Sequence, residues 1–174
     1  MEPSEGLRKL QEHREELTQI VRSLGRPSWD DTFVLLANVW SWRSTCPRRQ
    51  VGCVIASADH RAISSGYNGA PRHLAHCSEV GCVLDKLGRC TRAVHAEANA
   101  IYQASRSGAR LLGSHVYCTD RPCVNCALAL VQIGCASVTW SNDELHPEER
   151  EQVLDLFGAA GIEMKVYNLS SDRV

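Results

Sequence analysis

Apolar residues first recur at helical spacing. Leu7, Leu10, Leu17, Ile20, Val21 and Leu24 lie among charged residues, with one gap around His13 and Arg14. Residues 5–24 are therefore predicted to form one amphipathic helix, ended by Gly25 and Pro27. Its stripe has two readings: it packs on its own domain, or it serves as an oligomerisation arm. A second helix is predicted from Ser28, a suitable N-cap with Asp30 and Asp31 in the first turn, through Phe33, Leu36, Ala37 and Trp40 to about Ser44. The period then changes. Val51–Ala56 and Ala62–Tyr67 read as two strands of a hairpin around Ala58-Asp59-His60. Residues 68–90 have no clear period, and a loop of that length is unusual unless it is functional or stapled.

Beyond that loop the predicted order is helix Ala96–Ala104, strand His115–Thr119, helix Cys123–Ile133, strand Ala136–Trp140, helix Pro147–Phe157 and strand Ile162–Tyr167. Such alternation implies a parallel portion of sheet with helices on its faces. The expected fold class is α/β, a three-layer α/β/α domain with a mixed sheet of about five strands. Residues 1–25 are set apart as the N-terminal helix and 26–174 as the working domain.

Composition narrows the function classes. The 174 residues suit a single core, and 44% hydrophobic with 22% charged residues is ordinary for a globular chain. A net charge of -1 with 6% aromatics argues against a protein that tracks a nucleic-acid backbone, so no nucleic-acid partner is expected. Residues 1–24 are charged throughout and no apolar run approaches about 18 residues, so no membrane partner is expected and the chain reads as cytoplasmic. Nine cysteines, an odd count with several at metal-ligand spacings, point to thiolate metal chemistry rather than disulfides.

The chemistry concentrates in Cys90–Ile101 and in Pro122-Cys123-Val124-Asn125-Cys126. His95, Cys123 and Cys126 make a three-ligand zinc set, which leaves the fourth tetrahedral position for water, and Glu97 stands beside the histidine as a non-ligand acid/base. Cys123 and Cys126 share a face if Pro122 opens a helix, whose N-terminus favours thiolates. His95 and Glu97 are about 200° apart around a helix and can aim into one pocket only if His95 lies at the helix start. The expectation is two helix N-termini converging on one ion. A zinc-stabilised binding module without chemistry is the competing class, but it offers no reason for Glu97 and expects a basic surface.

Of the other cysteines, Cys53, Cys118 and Cys135 fall where cysteine acts as a small apolar residue. Cys77, Cys82 and Cys90 lie in the long loop, and Cys46 ends the helix whose continuation should approach it. Four thiolates would make a closed structural zinc site that orders an aperiodic stretch. His76 or His73 could replace one ligand, and unligated thiols are the alternative.

His-x-Glu followed by Pro-Cys-x-x-Cys is the signature of zinc nucleobase deaminases. Further stretches make the chain resemble the deoxycytidylate deaminases of the cytidine deaminase-like superfamily. They are Arg26-Pro27-Ser28-Trp29-Asp30, Arg43-Ser44-Thr45-Cys46, Gln50-Val51-Gly52, Gly66-Tyr67-Asn68-Gly69-Ala70-Pro71, His76-Cys77, Gly81-Cys82, Arg92–Ile101 and Tyr117-Cys118-Thr119. Free-nucleoside cytidine deaminases usually carry cysteine where this chain has His95. The tRNA adenosine deaminases lack the Asn99-Ala100-Ile101 continuation and the Gly66-to-Gly69 loop.

The resemblance implies hydrolytic deamination of deoxycytidine monophosphate to deoxyuridine monophosphate and ammonia, with a 5-modified deoxycytidylate or another small aminated heterocycle as the alternative substrate. It implies that Asn68 contacts the sugar, that main-chain groups near Val94 and Ala96 meet the cytosine, and that Cys46–Gln50 borders the pocket. Phage relatives use cysteines matching Cys46 and Cys77 for a structural zinc. The family is also commonly oligomeric (hexamer or dimer) and regulated by dCTP and dTTP, with Mg2+ accompanying a triphosphate effector and the Gly66-to-Pro71 loop implicated in binding it. One departure stands out: Trp140 and Glu144 occupy places where tyrosines are common, the second near the nucleotide phosphate. Arg48 and Arg49 are candidates to compensate, against the alternative of a solvated basic turn.

Overall fold

The computed structural model describes residues 4–167 apart from 13, 24 and 87. Its contacts divide the chain after Thr32. The N-terminal unit contains helices α1 (Glu5–Glu12) and α2 (Arg14–Ser23) and the start of α3 (Trp29–Ser41). The side chains of Leu7, Leu10, Leu17, Ile20, Val21 and Leu24, which carry the expected stripe, lie outside the described residues. Ser28 caps α3 as its sequence predicts. The Asp31 N–H donates to Ser28 Oγ at 3.1 Å, and the Asp31 carboxylate accepts the Ser28 N–H at 2.7 Å, a reciprocal arrangement that satisfies two donors of the helix start.

The second unit is built on strands β1 (Gly52–Ala56), β2 (Ala62–Tyr67), β3 (His115–Asp120), β4 (Ser137–Asn142) and β5 (Glu163–Val166), in the order β2-β1-β3-β4-β5. β1 pairs antiparallel with β2 and β3, whereas β3–β4 and β4–β5 are parallel, so the sheet is mixed as expected. Every residue of β1 is buried because both faces are covered. Cys53 and Ile55 join Val116, Cys118 and Val138 in a core closed by helices α5 (Ala96–Ser107), α6 (Val124–Gln132) and α7 (Arg150–Ala159). The alternate residues Val54 and Ala56 pack with Tyr117 against Phe33, Val34 and Ala37. That period of two on a doubly covered strand makes the three layers. Cys135 also lies in the main core.

The loop of residues 68–90 contains one helical turn, α4 (Cys77–Val80), and is tied by isolated bridges Gly69–Val94 and Leu84–Cys90. The expected helix Pro147–Phe157 starts instead as a 3-10 turn, Pro147–Glu149, before α7. Two glycines set how closely helices approach the sheet. A Cβ at Gly52 would lie 1.9 Å from the Ala37 carbonyl oxygen, and one at Gly66 would lie 2.3 Å from that of Ala96. Among the described residues no helix is long and apolar enough to cross a membrane.

Candidate active site

His95 is the N-cap of α5, with extended backbone (φ -70°, ψ 156°). Its ring therefore leaves the chain ahead of the first turn, which removes the 200° conflict with Glu97 in that turn. Cys123 is the N-cap of α6 (φ -71°, ψ 168°) and Cys126 lies one turn on. Pro122 accordingly precedes the cap rather than opening the helix. The extended N-cap conformation is what brings the two sulfurs of a Cys-x-x-Cys pair to one side.

His95 Nδ1 lies 3.4 Å from Cys123 Sγ and 3.5 Å from Cys126 Sγ, and the three ligand atoms all fall within 4.8 Å of one another. A tetrahedral zinc with Zn–S of about 2.3 Å and Zn–N of about 2.0 Å separates nitrogen and sulfur by about 3.5 Å. The donor set fits that ion in both chemistry and spacing. The Cys126 thiol and the His95 ring outweigh burial and draw Cys123 down to about 4, while the neighbouring Cys123 thiolate holds His95 up at about 9. Cys126 is driven strongly upward, first by its hydrogen bond to Cys123 and then by burial. One thiolate thus opposes the second, and a divalent cation removes that penalty.

Glu97 is 4% exposed, and burial pushes its carboxyl up to about 7 against the pull of His95. A carboxyl poised there can both accept and return a proton near neutrality. It lies outside the sulfur and imidazole group. It shares with His95 and Cys123 the lining of a cavity of about 440 Å³.

The other expected residues divide. Asn68 and Ala96 line the cavity. The Asn68 amide also holds the fold: its Oδ1 accepts the Val51 N–H at 2.9 Å and its Nδ2 donates to the Arg49 carbonyl at 3.0 Å. Val94 is tied to Gly69: its N–H donates to the Gly69 carbonyl at 2.8 Å and its carbonyl accepts the Gly69 N–H at 3.1 Å, and it does not line the cavity. Arg48 and Arg49 both line it. Arg48 Nη1 donates to the Gly88 carbonyl at 2.8 Å, and Arg49 is held by Asp120 through Nε at 3.2 Å and Nη2 at 2.5 Å. Glu144 is exposed, with its charge felt by Arg49. Trp140 is fully buried in the core, its indole donating to Asp143 Oδ1 at 3.1 Å.

Sequence reasoning missed Asp120, Arg121, Leu145 and His146, which also line the cavity. The first two could have been suspected, because ligands of open α/β sheets bind beyond the carboxyl ends of parallel strands and Asp120 ends β3. The Arg121 guanidinium is fully buried. Its Nε bonds Asp143 Oδ1 at 2.8 Å, and Nη2 donates to the carbonyls of Leu145 and His146, which pins that wall.

Cys77, Cys82 and Cys90 form a second group within 4.8 Å, with Cys77 Sγ 3.8 Å from Cys90 Sγ. Tetrahedral thiolates on zinc lie about 3.8 Å apart. Burial raises Cys77 to about 11, whereas at Cys90 the backbone N–H groups of Arg92 and Ala93 outweigh burial and lower it to about 7. Cys46 is not in that group but lines the cavity beside Cys90, and its charge acts on Cys82. His73 and His76 are outside it too.

Residues 27–142 match the family model for the cytidine and deoxycytidylate deaminase zinc-binding region. The chain is 37% identical to ComE operon protein 2 of Bacillus subtilis over 83% of this chain and 74% of that one. It is 36% identical to deoxycytidylate deaminase of Saccharomyces cerevisiae over 86% of this chain and 48% of that one, so it spans about half of the yeast relative. Among solved structures, dCMP deaminase of the cyanophage S-TIM5 in complex with dCMP and dUMP superimposes with a TM-score of 0.69 at 26% identity, covering 81% of this chain and 98% of that one.

Proposed function

This chain belongs to the cytidine and deoxycytidylate deaminase family, and from that premise we propose that it converts deoxycytidine monophosphate and water to deoxyuridine monophosphate and ammonia. The observation that carries the reading is the His95, Cys123 and Cys126 triangle at zinc edge lengths, with the buried Glu97 in the same cavity. Zinc, when bound, supplies a Lewis acid that eases the deprotonation of water. Glu97 takes one proton from the attacking water and passes it to N3 of the pyrimidine as the C4–O bond forms, then takes the second proton from the new C4 hydroxyl and delivers it to the amine as the C4–N bond breaks, leaving a C4 carbonyl and ammonia. Ala96 borders the base and Asn68 the sugar.

The second cysteine group holds a structural zinc in this reading, with Cys77, Cys82 and Cys90 as ligands and Cys46 as the fourth. Its sulfur spacing and the lowered Cys90 thiol support it. Arg48 and Arg49 receive the nucleotide phosphate in place of the missing tyrosine. Among the described residues Arg48 has no carboxylate within ion-pair distance, which leaves it a cation to offer. Exposed Leu35, Val39 and Trp42 suit self-association, as a hexamer or dimer, of a cytoplasmic enzyme. Regulation by dCTP and dTTP with Mg2+ belongs to the same reading, through the residues around Tyr67.

The test is kcat/KM on deoxycytidine monophosphate against deoxycytidine. A preference of at least about 100-fold, about 2.7 kcal/mol, is expected from charge-assisted phosphate contacts. Equal efficiencies would refute the nucleotide reading.

A further inference from the structure

Asp120 is the last residue of β3, three positions before Cys123, and its side chain is only 7% exposed. It grips one edge of the Arg49 guanidinium, through Nε and Nη2. That two-point hold fixes the plane of the fork, and the opposite edge, Nη1, retains two N–H donors. Both residues line the cavity, and Arg49, 37% exposed, is the more accessible of the two to a ligand. The same carboxylate also offsets the charge of Arg49, as does Glu144 from the exposed side. Orientation and neutralisation therefore oppose each other. The bidentate geometry and the burial order favour orientation, because a donor already fixed in place loses little freedom when an anion arrives.

We propose that Asp120 is a positioning residue that holds Arg49 in the orientation needed to bind the substrate's 5′-phosphate, and so contributes to the choice of nucleotide over nucleoside. This rests on the reading that Arg49 meets the phosphate.

The experiment compares kcat/KM for deoxycytidine monophosphate and deoxycytidine in the zinc-loaded wild type, Asp120→Ala, Asp120→Asn, Arg49→Ala and the Asp120→Ala/Arg49→Ala double variant. Asp120→Ala should lose at least about tenfold more efficiency on the monophosphate than on the nucleoside, chiefly through KM. Asp120→Asn, which keeps the side chain's shape and one acceptor, should fall between, and it carries the test if the alanine variant does not fold. The double variant should discriminate no worse than Arg49→Ala alone, since the two residues act as one unit. Equal losses on both substrates, or tighter monophosphate binding by Asp120→Ala, would overturn the proposal. A preference lost in Arg49→Ala but intact in both Asp120 variants overturns this inference alone. A preference that survives Arg49→Ala overturns the phosphate role of Arg49 with it, and a wild type without preference overturns the nucleotide reading itself.

Discussion

Replacing Gly66 by alanine asks whether the sheet's grip on α5 sets the catalytic geometry. A Cβ on Gly66 would lie 2.3 Å from the Ala96 carbonyl oxygen, 2.5 Å from Ala100 N and 3.0 Å from the Asn99 carbonyl carbon. All three are backbone atoms, so no side chain can swing aside. The shortest contact falls short of the ordinary 3.4 Å by about 1.1 Å, and the helix has to retreat by a displacement of that order. The same turn carries Glu97 and follows directly from His95. A misplacement of about 1 Å at a reacting group costs up to about 100-fold in rate. Overpacking of this kind costs about 1 to 3 kcal/mol, and at about 2 to 4 °C per kcal/mol the midpoint should fall by about 2 to 12 °C. The expected result for Gly66→Ala is therefore a lower Tm together with a drop in kcat of about tenfold or more. Ammonia release and a thermal melt on the same preparation, with zinc measured by mass spectrometry, read both. A variant that melts within about 2 °C of wild type and turns over within about twofold of it would show that α5 is not held by this contact.

Glu97→Gln should retain zinc and fold while turnover falls by at least about 100-fold, because the residue moves protons rather than binding metal; loss of the metal would contradict that role. Cys90→Ser should lower the zinc content from two ions per chain to one and depress Tm before it affects chemistry, as the loop has little apolar burial to order it. One zinc in the wild type with an equally stable variant would refute the second site. Asp143→Ala strips the buried Arg121 of its carboxylate and should cost about 3 to 5 kcal/mol, read as a fall in Tm. Burial acts to raise the Asp143 carboxyl, but Arg150, Trp140 and Arg121 outweigh it and the net shift is downward. Its contribution is therefore fully present above about pH 4 and is lost as the pH falls through the lower folded value, so acid titrations followed by circular dichroism should show the stability advantage of wild type over Asp143→Ala shrinking below about pH 4.

Legibility followed the range of the interaction. His95 at its helix start, Ser28 as a cap and the β1–β2 hairpin are each decided within a few residues and each was readable, whereas Cys123 caps α6 one residue later than an opening Pro122 implied. The catalytic triangle was readable because its members come in two short motifs whose chemistry restricts how they can meet. The Asp120–Arg49 pair joins positions 71 apart, and Arg121 reaches Leu145 and His146 only because β3 and β4 lie side by side. No local pattern encodes such pairings. One turn of helix at Cys77–Val80 is too short to carry a period, and the 3-10 start at Pro147 differs from a helix in hydrogen bonding rather than in residue type.

Val94 links two parts of the site, because its N–H and carbonyl both bond Gly69, the residue after Asn68. Asn68 is itself fixed by Val51 at the start of the hairpin and by the Arg49 carbonyl. The bridge therefore ties the end of β2 to the residue before His95, so that Asn68 and His95 share one register. Gly66 adds the second tie, allowing Ala96 and Ala100 to lie against β2, and Asn99 adds a third by donating Nδ2 to the Tyr67 carbonyl at 2.8 Å. Ala96 lies two residues beyond Val94. Ala96 is the first helical residue of α5, so its N–H has no partner within the helix, and it lines the cavity beside Glu97. The Ala96 N–H is accordingly a main-chain donor that this frame can offer to a ligand, and Val94 helps to hold it in place.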